Sequence, residues 1–266
     1  MSTIVFLHAH PDDEASGTAG SMARATQQGD RVVLVYATNG DHGEVPDDLA
    51  PGETIVERRR KEAAASAEVL GTARVEWLGY SDSGMTGWEM NDDPGSFHAA
   101  DLDEAAARLA KILDEEDADV LVGYDWHGNY GHPDHVKVHP VAYRAAALAR
   151  RRPRVLEVTI NRDETVRMVQ AAKEQGMELA FDPTGPADDG NPMGTPQAEI
   201  HWSVDVSAQL SLKRQALLCH ASQVTDIGML TGFDDASFAA MFGREFYREH
   251  GNPNGMVEGW PFTPLG

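Results

Sequence analysis

Apolar, β-rich runs at residues 3–9, 31–38, 74–79, 118–124 and 154–160, with a late one at 200–206, alternate with stretches of helical length and pattern. Parallel strands of one sheet need a crossover of a dozen or more residues, usually a helix, and the chain supplies one between nearly every pair. Residues 14–28 carry Ala15, Ala19, Met22 and Ala23 at helical spacing. Thr54 and Glu57 form a T-x-x-E capping box that opens an Ala-rich helix to Leu70, stopped by Gly71. Further helices are predicted over 101–116, 136–149, 162–175 and 208–221.

With right-handed crossovers, this alternation predicts a Rossmann-like α/β fold. The sheet is doubly wound, mainly parallel and flanked by helices, in a single domain over 1–266, with its core over 1–160 and lid and C-terminal elaborations over 161–266. Two stretches break the rhythm. Residues 81–99 and 181–199 are rich in Gly, Pro and Asp, and loops of that length in a compact domain tend to be functional. The stretch from Gly251 reads as an irregular tail packed by Trp260 and Phe262.

Charge narrows the function. With 22 basic against 43 acidic side chains, the net charge is −21. That disfavours nucleic acid, whose phosphates must be neutralised, and an anionic membrane surface. A small molecule is the expected partner. Met1 to Leu7 reads as a first strand rather than a signal peptide, no apolar run approaches a membrane span, and a cytoplasmic location is expected. The one cysteine, Cys219, allows neither an intrachain disulfide nor a cysteine zinc site. Oligomeric state is left open, a homo-oligomer included.

Chemistry concentrates at two strand ends. His10, Pro11, Asp12 and Asp13 follow the first run; His132, Pro133, Asp134 and His135 come soon after the fourth. Parallel strands end on one edge of the sheet, and ligands bind outside that edge, so the two clusters should meet in space. His10, Asp13 and His135 are the expected metal ligands, three protein groups leaving a fourth position open as in catalytic zinc sites. Two His and one carboxylate also suit non-haem iron; one zinc per chain is the expectation. Asp12 and His132, beside the ligands, form the natural proton-transfer pair, and Asp134 is placed to orient an imidazole. A lone histidine is ordinarily a surface or capping residue. His8 reads as a buried neighbour of the site, and His42, His98, His127, His139, His201 and His250 have no partner spacing. His220, in the run His220-Ala221-Ser222-Gln223, stays a candidate for reaching the pocket.

The strings His8-Ala9-His10-Pro11-Asp12-Asp13-Glu14 and Tyr130-Gly131-His132-Pro133-Asp134-His135 resemble the PIG-L/LmbE-like family of zinc-dependent deacetylases, in particular the branch of the mycothiol-pathway deacetylase and mycothiol conjugate amidase. The likeness extends over Thr38-Asn39-Gly40, Arg59-x-x-Glu62 and Asp82-Ser83-Gly84-Met85. It implies zinc on His10, Asp13 and His135, and Asp12 as general base. It also implies His132 as a protonated electrostatic stabiliser or general acid oriented by Asp134, and Tyr130 at the oxyanion. Arg59 would contact the sugar, with Asp82 near the substrate and Asn39 on the same carboxyl edge. One departure is the lead-in to the tyrosine, which reads His127-Gly128-Asn129 where the mycothiol branch has Asn-Gly-Gly.

Rival readings fit less of the chain. His8-Ala9-His10 is similar to the opening of amidohydrolase barrels, but eight βα units are tight in 266 residues. The metallo-β-lactamase pattern HxHxDH fails at Asp13, and a dinucleotide-binding module would need a glycine-rich loop where His-Pro-Asp-Asp stands. The expected activity is therefore hydrolysis of an N-acyl group, most simply N-acetyl, on an amino-sugar conjugate, releasing acetate and a free amine. A mycothiol-conjugate-type amidase and a hydrolase of a different small amide are the alternatives.

Overall fold

The computed structural model describes residues 1–174, 176 and 182–264. Gln175, at the end of the helix predicted over 162–175, Phe181, at the start of the predicted loop 181–199, and the last two residues of the tail lie outside the described residues. The elements run β1 (Thr3–His8), α1 (Asp13–Gly17), α2 (Ala19–Gln27), β2 (Arg31–Thr38), α3 (Ile55–Leu70), β3 (Arg74–Tyr80) and α4 (Leu102–Glu116). They continue with β4 (Val120–Tyr124), α5 (Pro133–Leu148), β5 (Arg154–Thr159), α6 (Arg162–Glu174), β6 (Trp202–Asp205), α7 (Leu210–Cys219), α8 (Val224–Thr231), α9 (Asp235–Phe242), β7 (Arg244–Arg248) and β8 (Val257–Glu258).

The strands form one sheet in the order β3-β2-β1-β4-β5-β7-β6-β8. The five from β3 to β5 are parallel, as the alternation predicts. Helices cover both faces of a parallel sheet, so its central strands read as unbroken apolar runs: Ile4 to Leu7 and Val32 to Ala37 are buried throughout. The chain winds outward from β1 through β2 to β3, then returns to lay β4 against the other side of β1, with Ile4 opposite Val120. That reversal opens a crevice at the carboxyl ends of β1 and β4, where α/β sheets take their ligands.

Local signals explain most boundaries. The capping box on α3 is complete: the Glu57 N–H donates to Thr54 Oγ1 at 3.2 Å and the Thr54 N–H to Glu57 Oε2 at 2.8 Å. Gly71 closes the helix with φ 72°, a left-handed conformation that glycine takes without steric cost. Helix α5 starts earlier than its apolar spacing predicts, because His132 caps it and Pro133 occupies the first turn, where a missing N–H costs nothing. The helix expected over 14–28 is split at Thr18 (φ −133°, ψ 0°), whose hydroxyl bonds the His8 imidazole at 2.8 Å.

Strands β7 and β8 escape the apolar-run criterion. Arg244-Glu245-Phe246-Tyr247-Arg248 holds only two apolar residues in a row, and its strand geometry comes from antiparallel pairing with β5 and β6. Buried Glu245 there accepts the Lys213 ammonium at 2.7 Å and the backbone N–H groups of Gly20 and Ser21 at 2.9 and 2.8 Å, tying β7 to α7 and the start of α2. Removing one partner of a buried pair leaves an uncompensated charge and costs about 3–5 kcal/mol. Lys213→Ala is therefore expected to lower the urea midpoint at unchanged m-value; a loss under about 1 kcal/mol would show the pair to be idle. Among the described residues no helix is long and apolar enough to cross a membrane.

Candidate active site

The segment leaving β1 makes a sharp corner. Asp12 adopts φ 119°, ψ −26°, a left-handed conformation that costs a non-glycine residue about 1–3 kcal/mol and collects at functional sites. The corner brings the Asp13 carboxylate back under His10, where Oδ2 accepts the His10 backbone N–H at 2.7 Å. From the other side of the crevice, the first turn of α5 presents His135. Gly128 (φ 62°) permits this approach, since a Cβ there would lie 2.3 Å from His135 Cβ.

Three potential metal-ligating atoms converge. His10 Nδ1 and His135 Nε2 are 3.2 Å apart, and Asp13 Oδ2 lies 3.5 Å from the first and 3.3 Å from the second. Two metal–ligand bonds of about 2.1 Å meeting at a tetrahedral angle place their donor atoms about 3.4 Å apart, so the spacing fits a divalent ion. The opposite edge of the His10 ring supports that fit. Its Nε2 faces Asp134 Oδ2 at 3.1 Å and Asp82 Oδ1 at 3.5 Å, an arrangement that in the neutral ring places the proton on Nε2 and leaves Nδ1 toward Asp13 and His135. Asp134 is itself fixed by the Ser83 N–H at 2.9 Å and by the Ser83 hydroxyl. The ring nitrogens of His10, His132 and His135 also fall within 4.8 Å of one another, as do ligand atoms of His10, Asp82, His132 and Asp134.

Around this centre the expected residues take unequal places. Tyr130 directs its hydroxyl to 3.3 Å from His135 Nε2. His132 accepts the Asp134 backbone N–H on Nδ1 at 3.2 Å, which leaves its proton on Nε2. Burial, then the neighbouring His10 and His135 rings, push its pKa down to about 3. These neighbours favour the neutral ring over the imidazolium that the resemblance implies, and the Asp134 carboxylate faces His10 Nε2. Asp12 has Oδ2 at 2.8 Å from the Arg59 guanidinium. Burial raises its carboxyl to about 6, Arg59 opposing and Asp13 adding to the rise, a range suited to a base working near neutrality.

The expected sugar contacts fare differently. Arg59 is buried, and its donors reach Asp12 Oδ2, the Pro11 carbonyl and, at 2.9 Å, the Gly40 carbonyl. A guanidinium facing inward in this way holds the Asp12 corner, while its buried Nε–H has no partner among the described residues. Asp82 is buried behind His10, accepting the Gly84 N–H at 2.8 Å, and so backs the centre. Asn39, half-buried at the end of β2, accepts the Asp41 N–H at 3.1 Å, and Asp41 in turn accepts the Asp82 N–H at 2.8 Å. His8 is the buried neighbour that its place on the strand suggests, bonded to the Tyr124 hydroxyl at 2.9 Å. Tyr124, whose ring stacks on His135 with centroids 4.8 Å apart, and Ser83 were missed by reasoning on the sequence; only the apolar run and the Asp82-Ser83-Gly84 string hinted at them.

Comparison with known proteins agrees with this chemistry. Residues 5–146 match the PIG-L family, described as GlcNAc-PI de-N-acetylase. A 1D-myo-inositol 2-acetamido-2-deoxy-alpha-D-glucopyranoside deacetylase from Thermobispora bispora is 36% identical over 97% of this chain and 91% of its own length. A protein of the same name from Salinispora arenicola is 37% identical over 91% and 81%. Among solved structures, the zinc-inhibited form of teicoplanin deacetylase aligns with TM-score 0.59 at 19% identity, over 94% of this chain and 100% of the other. The N,N'-diacetylchitobiose deacetylase from Pyrococcus horikoshii gives 0.57 at 21%, over 93% and 83%. The 4-carboxy-2-hydroxymuconate hydratase from Pseudomonas putida also gives 0.57 at 17%, over 98% and 100%, so these likenesses show the fold alone. Family match and relatives together establish that the chain belongs to the PIG-L family and is a metal-dependent deacetylase.

Proposed function

We propose that this enzyme removes the N-acetyl group from a glucosamine conjugate, with one zinc held by His10 Nδ1, Asp13 Oδ2 and His135 Nε2. The observation that carries the reading is the convergence of those three atoms at 3.2–3.5 Å beside a partly ionisable Asp12. When bound, such an ion supplies Lewis acidity, polarising an acyl carbonyl and acidifying water. Asp12 accepts the proton of the attacking water and returns it to the departing nitrogen. The Tyr130 hydroxyl and the His132 Nε2–H donate to the carbonyl oxygen as negative charge develops on it. Asp134 and Asp82 keep the His10 proton on Nε2. Water and amide thus give acetate and a free amine.

The substrate reading rests on relatives whose names specify an inositol-linked acetamido sugar. Purified enzyme with its metal content measured should release amine from N-acetylglucosaminyl-inositol faster than from free N-acetylglucosamine. Cleavage confined to an N-acyl-cysteinyl glucosamine conjugate would replace the reading with a conjugate amidase. No amine from any of the three, at one metal per chain, would overturn it.

A further inference from the structure

Three buried residues of α3 lie at positions i, i+3 and i+7 on one face of the helix, and together they reach two segments, the Asp12–Glu14 corner and the turn after α7. Arg59 bonds Asp12, Glu62 accepts the Ser222 N–H and hydroxyl at 2.9 and 2.7 Å, and the Ser66 hydroxyl donates to Glu14 Oε1 at 2.5 Å. The turn after α7 is thereby clamped to α3. Gln223 fastens it further to the loop after β2, taking the Glu44 N–H at 3.0 Å and donating to the Glu44 carbonyl at 3.2 Å. Inside this clamp His220, with 0% exposure, places Nε2 at 2.7 Å from Glu14 Oε1, although the two residues lie 206 apart in the chain. Its Nδ1 has no partner among the described residues, so the ring is committed to Glu14 alone.

Glu14 is equally buried and uses its other oxygen on the corner: Oε2 accepts the Asp12 backbone N–H at 3.0 Å. A carboxylate without exposure keeps its place and charge only when its oxygens are satisfied. His220 and Ser66 satisfy one oxygen, and the Asp12 N–H uses the other. The left-handed Asp12 is thus held at its amide by Glu14 and at its carboxylate by Arg59.

We infer that His220 is a positioning residue for Asp12, acting through Glu14, and that the region beyond residue 146, outside the family match, thereby sets the orientation of the base. The inference rests on the reading of Asp12 as base. Gln places its amide nitrogen near the position of an imidazole Nε2, while the shorter Asn cannot reach Glu14, so His220→Gln and His220→Asn separate the bond from the bulk. His220→Asn is expected to lower kcat about 10- to 100-fold, the scale of a misplacement near 1 Å, with KM within about twofold and one metal per chain, the assays being run below the melting transition of both variants because Asn leaves buried Glu14 short of a partner. His220→Gln should recover most of the rate.

The deciding measurement repeats the pair in an Asp12→Ala background by single-turnover amine release. If His220 works through Asp12, Asn and Gln variants become equal there. The same Asn-over-Gln loss in both backgrounds, a change confined to KM, or loss of metal would overturn the inference. Full activity of Asp12→Ala itself would remove the base reading and this inference with it, a result distinct from any behaviour of His220.

Discussion

Asp12→Ala is expected to retain one metal per chain and to lose about 10²–10⁴ in kcat, the usual contribution of a general base. The geometry separates it from the ligands: its carboxylate turns to Arg59 at 2.8 Å, whereas the Asp13 carboxylate lies 3.3 Å from His135 Nε2. Asp12→Asn should behave similarly, because the amide keeps the contact with Arg59 but cannot take a proton. Metal analysis and steady-state kinetics on the same preparation decide the matter. Loss of metal in step with activity would make Asp12 a ligand.

His135→Ala should strip the ion altogether. In the proposed ligand set three groups fix the centre, and a deletion leaves two groups and a cavity beside the Tyr124 ring. His10→Ala is expected to match it. Asp134→Asn should weaken metal binding only about 10- to 100-fold, since it acts through the His10 ring. The metal-free proteins should also melt lower than the loaded enzyme by an amount that grows with free metal concentration, the signature of a ligand bound to the native state alone. Stoichiometric zinc in purified His135→Ala would show the ligand set to be wrong.

The two His/Asp clusters were legible because strand ends in a parallel sheet share an edge, an inference that needs only the position of each run. Side-chain direction was not legible in that way. Whether Asp134 serves His10 or His132 depends on the rotation of one carboxylate in the first turn of α5, and the motif is the same either way. An arginine on a helix likewise gives no sign in the sequence that two carbonyls and Asp12 will meet its Nη1 and Nη2 donors. The break at Thr18 follows from a bond to His8 across the core, and β7 from its neighbours in the sheet. Glu14 was visible as part of a motif and His220 as part of a run, but only the packing of α7 on α3 makes them partners.

The reversal of winding between β1 and β4 also governs when the centre can come into being. His10 and His135 are 125 residues apart, and β4 docks on β1 only after the excursion through β2 and β3 has been made. Contacts of such separation form late, since loop closure must precede any reward from pairing. A nascent chain emerging from the ribosome therefore holds His10 and Asp13 for a long interval before His135 arrives, and metal capture at the proposed site becomes a closing event of folding instead of its nucleus. Refolding from denaturant should accordingly show early helix and sheet signals that are indifferent to a chelator, with metal sensitivity confined to the final phase.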